Sequence, residues 1–287
     1  MQVAASKFQG SGKESAIGHS HSPVAPRAPA SVCNLERMGA AFPTRLSFMR
    51  ILLRRMSTEG WELGCGHFDL DDEGFGTAVY TARLPQRAYS LIAFANPLAY
   101  EDRTDRVIAS AWDAAFVLFD GIPSAADIDR LRSQVPLQEA GRFEPTDLVI
   151  SRANRSLRLF EYVCDCLSRG EQPEAGRLND VGYLMRTTAV YGNGKFGISD
   201  RSRIASRRET KNSFQAEMLT VFLIRQFTFD QLEHMASRRA PGRSVALDAR
   251  LKRSLGIGNA TGLGMAPFVM SHPELLNHWF VARETAI

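Results

Sequence analysis

The chain is poor in cysteine, in lysine and in long apolar runs, and each shortage removes a class of protein. Four cysteines among 287 residues, Cys33, Cys65, Cys164 and Cys166, make no disulfide framework. Cys164 and Cys166 form one Cys-x-Cys with no second pair at zinc-site spacing. On a helix two such thiols point about 200° apart. The longest apolar stretches, 114–119 and 218–224, fall far short of the roughly 20 residues of a membrane span. The first residues also lack the apolar core of a secretory signal. A reducing cytoplasm is the compartment these features suggest.

Lysine is the sharpest shortage. Of 35 basic residues, 30 are Arg and 5 are Lys, with a net charge of +4 and a pI near 9.0. Arginine's planar fork suits carboxylates and phosphates. Codon drift in a GC-rich genome explains the same bias more readily than function does. The basic residues are dispersed, and aromatics are not interleaved with them as a single-strand stacking surface requires. Nucleic acid as a partner is thus permitted without being indicated. The catalytic motifs are missing too: no Gly-x-Ser-x-Gly elbow, no His-Glu-x-x-His and no EF-hand loop. The sequence does not favour a metal enzyme and singles out no cofactor.

Residues 1–40 are rich in Ser, Ala, Gly and Pro and read as a disordered leader, with His19 and His21 incidental. Order is expected from Phe42-Pro43-Thr44. Leu46, Met49, Leu52, Leu53 and Met56 follow helical spacing up to Gly60. This basic amphipathic helix suits docking on a sheet better than lying on a membrane. Three strand-like runs follow at 66–70, 76–83 and 88–95, separated by short turn signals, so they are expected to pair antiparallel. A fourth strand is expected within 107–119.

From Pro123 the pattern reads as helical. Ser124 with Asp127 caps a helix over 125–133. A long helix is expected from Thr146 to about Ser168, carrying Arg152, Arg155 and Arg158 in a row. Others are expected over 178–190, over 213–237, and from the Ser271-His272-Pro273-Glu274 capping box onward. The fold class is therefore expected to be α+β. A small antiparallel sheet with a flanking helix (41–122) would precede a mainly helical bundle (123–287).

Two glycine-rich segments carry the candidate chemistry. In Tyr191-Gly192-Asn193-Gly194-Lys195-Phe196-Gly197, glycine and asparagine admit positive φ, so Gly192, Asn193 and Gly194 can turn their amides inward as an anion nest beside the Lys195 ammonium. In the second, Gly258, Asn259, Thr261 and Gly262 precede a helix N-terminus at Ser271, whose free amides suit an anion. It is neither a P-loop nor a strict dinucleotide fingerprint. His272, in the first turn of that helix, is kept neutral by the dipole and suits proton transfer. Arg225 lies within an apolar helix stripe, so it must be paired, by Glu217 or Asp230, or face a ligand. A further basic cluster, Arg201, Arg203, Arg207, Arg208 and Lys211, can contact phosphates but more commonly marks a solvated face. The expectation is a metal-independent enzyme or binder of a small anionic metabolite. Its ligand groups are Gly192, Asn193, Gly194, Arg225, Gly258, Asn259, Thr261, Gly262 and Ser271, with Lys195 and His272 catalytic. The alternative is a nucleic-acid-associated or regulatory protein using arginine-rich helix faces.

Overall fold

The computed structural model describes residues 45–103, 111–135, 144–187, 198–199, 204, 206–210 and 215–259. The first element is helix α1 (Arg45–Thr58), ended by Gly60 at φ 64°. Leu52 and Met56 bury one of its faces in the core, as their spacing requires. Strands β1 (Glu62–Leu70), β2 (Gly76–Arg83) and β3 (Ala88–Ala95) form the antiparallel meander, and β4 (Ala114–Asp120) adds the fourth strand beside β3. Gly76 closes the first hairpin at φ 140°. A Cβ there would lie 2.1 Å from the Asp69 carbonyl oxygen, so only glycine fits. Helix α2 (Ala125–Gln134) starts at a capping box in which Ser124 and Asp127 serve each other's backbone.

Beyond α2 the expected helical bundle is not what forms. The sheet continues through β5 (Asp147–Arg155), β6 (Tyr183–Thr187), a two-residue β7 (Ile198–Ser199) and β8 (Gly256–Asn259). The strand order is β1-β2-β3-β4-β5-β6-β8, with β7 also pairing with β5. The result is a mixed, curled sheet, a half-barrel, rather than a small sheet. The helix expected from Thr146 to Ser168 divides into β5 and helix α3 (Phe160–Ser168). The helix expected over 178–190 divides at Gly182 into helix α4 (Ala175–Val181) and β6. The physical reason is burial. All nine residues of β5 are buried, and a strand covered on both sides shows no polar alternation to separate it from a helix.

Helix α5 (Gln215–Arg239), 25 residues long, explains one side of that burial. Phe227 meets Phe116 of β4 edge-on at 5.5 Å and lies 6.4 Å from Tyr80 of β2. Leu91, Phe116, Leu118 and Ala153 share this face and its core with α1 and α5. The opposite face, with Ile92, Phe94, Val117 and Ile150, packs on Leu131 and Val135 from α2 and its C-cap. The far half of α5, through Phe229, Leu232 and Met235, packs on α3, α4 and Leu255, which follows helix α6 (Ala249–Ser254). Among the described residues, no helix is long and apolar enough to cross a membrane.

Candidate functional site

β6 and β8 run parallel, with Arg186 opposite Gly258 and Thr187 opposite Asn259, so the two strands finish side by side. On the other side of β6, Arg186 is opposite Asn154 of β5 and Thr187 is opposite Ala153. The chain continues from Thr187 into the first glycine-rich segment and from Asn259 into the rest of the second. The parallel pairing was not legible in the sequence, because β8 is four residues long and half glycine.

Toward the start of β6, with Arg155 opposite Met185, β4 and β5 hold a buried polar corner. Asp113 is 1% exposed. Its backbone N–H donates to Asn154 Oδ1 at 2.9 Å, and its carboxylate accepts from Arg103 Nε and from the Arg155 backbone N–H, both at 2.9 Å. Asn154 Nδ2 donates to the Ala111 carbonyl at 3.2 Å. The Arg155 guanidinium lies 5.2 Å from the Phe75 ring and 4.8 Å from the Phe160 ring, and its Nη2 donates to the Glu73 carbonyl at 3.3 Å. Burial pushes its pKa down from the usual arginine value, against the opposing pull of the Asp113 charge. Arg152 stacks on the Trp112 ring at 3.6 Å, and burial pushes its guanidinium down to about 10. The corner thus gathers Arg103 and Arg155 at one buried carboxylate, with Arg152 stacked on Trp112.

The residues singled out from the sequence divide into three groups. Gly258 and Asn259 lie in β8, so they are strand residues rather than loop residues. Arg225 is held by backbone. Its Nε donates to the Leu255 carbonyl at 2.7 Å and an Nη donates to the Lys252 carbonyl, with the guanidinium 4.8 Å from the Phe229 ring. Neither Glu217 nor Asp230 is its partner. The site residues Gly192, Asn193, Gly194, Lys195, Thr261, Gly262, Ser271 and His272 lie outside the described residues, as do residues 1–40 and the helix expected from Ser271.

The arginine row expected on a helix is corrected as well. Arg152 and Arg155 stand on a strand at an odd spacing and so point to opposite faces, Arg152 to Trp112 and Arg155 to Phe75 and Phe160. In the second basic cluster Arg207 is ion-paired to Asp120 at 2.6 Å. Cys164 and Cys166 are free thiols on α3, and burial pushes Cys164 up to about 11, where it is inert at neutral pH. The sequence reading missed Arg103, Trp112, Asp113 and Ser156. The available signal was Ser151-Arg152-Ala153-Asn154-Arg155-Ser156 directly after Leu148-Val149-Ile150, a polar run continuing a strand-like apolar one. No family model matches the chain, and neither the curated proteins nor the solved structures contain a match.

Proposed function

We propose that this protein binds a small anionic metabolite at the end of its sheet, as a metal-independent enzyme or binder. The observation that carries the reading is the register Thr187 to Asn259. Because β6 and β8 are parallel neighbours, both glycine-rich segments depart from adjacent strand ends. That two glycine-rich segments supply backbone amides to one ligand thereby has a topological reason. The nearby arginines, Arg152 and Arg186 in particular, supply positive charge on the same sheet end. In this reading the amides of Gly192, Asn193, Gly194 and Gly262 cradle the anion and Lys195 adds a point charge. Asn259, Thr261 and Ser271 provide neutral hydrogen bonds, and His272 carries a proton where the ligand is turned over. Arg225 acts by fixing the entry to β8 rather than by touching the ligand.

The test is Lys195→Ala, with affinity for the co-purifying or best-binding anion measured by calorimetry. Binding is expected to weaken about tenfold or more, the scale of a charge-assisted contact, with thermal stability unchanged. Unchanged affinity would remove Lys195 and the first glycine segment from the site.

A further inference from the structure

β1 is a terminal strand of the sheet, at the other end of the strand order from β8, with β2 as its neighbour among the described residues. It is nine residues long, and all of them except Leu70 are exposed. An open edge of this kind pairs readily with a further strand, and proteins blunt such edges with lysine, proline, short length or a bulge. β1 contains neither lysine nor proline. Its one blunting device is a bulge at Gly66, where the register to β2 shifts between Cys65 and His67.

That bulge keeps the apolar side chains on one face. Leu63 is opposite Ala82, Cys65 opposite Tyr80 and Phe68 opposite Ala78. Ala78, Tyr80 and Ala82 belong to the core shared with α1 and α5. Directly opposed residues share a face, so Leu63, Cys65 and Phe68 stand on the α5 side. The core covers them only in part. Leu63 is 46% exposed and Phe68 37%, although the Phe68 ring meets the His234 ring of α5 at 5.5 Å.

Charge selects the occupant. Glu62 and Asp69 stand near the two ends of β1, and neither carboxylate forms an ion pair among the described residues. A second copy of the chain fits this edge poorly. The antiparallel register that sets Leu63 against Phe68 of the second copy also sets Glu62 against its Asp69, and like charges directly opposite each other destabilise a strand pair. A strand with apolar residues on one face and basic residues on the other meets both the apolar side chains and the carboxylates.

We propose that β1 is the docking edge for an extended segment of a partner protein in which apolar and basic residues alternate, added to the sheet as a further strand. The proposal is independent of the anion reading.

The probe is a capped synthetic peptide of alternating valine and lysine, about seven residues long to match an ordinary strand. It is labelled and titrated into the full chain at constant ionic strength, followed by anisotropy, and amide hydrogen exchange is measured with and without it. Binding is expected to saturate and to slow exchange over Glu62–Asp69 while leaving α2 unchanged. Leu63→Lys, at an exposed position, is expected to weaken binding about tenfold with thermal stability kept. The double variant Glu62→Gln, Asp69→Asn is expected to weaken it several-fold. Absence of saturable binding overturns the proposal, as does equal binding of a valine–glutamate peptide or unchanged affinity in Leu63→Lys. Dimerisation of the full chain that protects β1 without peptide also overturns it, giving the edge to a second copy.

Discussion

At the scale of single residues, burial sets the behaviour of several charged groups. Tyr80 Oη donates to Asp230 Oδ2 at 2.7 Å beneath β1. Burial holds the Asp230 carboxyl above the usual carboxylate range. The Glu233 charge adds to that rise, while the Tyr80 hydrogen bond and the Lys252 ammonium oppose it. An acid whose folded pKa is raised binds its proton more tightly in the folded state. Its stabilising contribution is therefore full below the unfolded value of about 3.9 and is lost as pH rises through the folded value. Asp230→Asn keeps an acceptor for Tyr80 and removes the buried charge. Thermal melts should show the variant more stable than wild type at pH 7, with the gain vanishing near pH 3. A variant less stable at pH 7 would contradict this. Such residues were only partly legible beforehand. Arg225 was visible as a charge in an apolar stripe, but its partners are the Lys252 and Leu255 carbonyls, and backbone partners distant in sequence leave no trace in side-chain spacing.

At the scale of elements, legibility followed the surroundings of each segment. α1, α2, α5 and the β1–β3 meander were readable because the caps, turn signals and apolar spacings that mark them are local in sequence. β5 and β6 were not, since full burial removes the alternation that marks a strand, and the stripe Val149, Ala153, Leu157 imitates a helix. β8 depended entirely on its neighbours. It is an edge strand of four residues, pinned by Gly256 N–H on the Gly182 carbonyl at 2.8 Å and by the Arg225 clamp at its entrance. Arg225→Met should cost about 2 kcal/mol, the range for hydrogen bonds to a charged group. Hydrogen exchange of the Gly256–Asn259 amides should accelerate more than that of β2 and β3. Equal acceleration everywhere would make Arg225 a general core residue rather than the holder of β8.

At the scale of the whole molecule, the sheet is covered by α1 and α5 on one face and by α2 on the other. The glycine-rich segments follow β6 and β8 in the chain, while the Asp113 corner lies toward the start of β6. Of the candidate site, most of the glycine-segment residues that the sequence singled out lie outside the described residues, while the arginine corner stayed hidden because its residues meet only across β4 and β5. The proposed anion binding has a direct test in native mass spectrometry of the gently purified full chain. A discrete adduct of metabolite size, lost on denaturation and reduced in Lys195→Ala, is the expected result. A bare chain mass that stays bare when millimolar inorganic phosphate is added, or co-purifying nucleic acid in place of a small adduct, would contradict it.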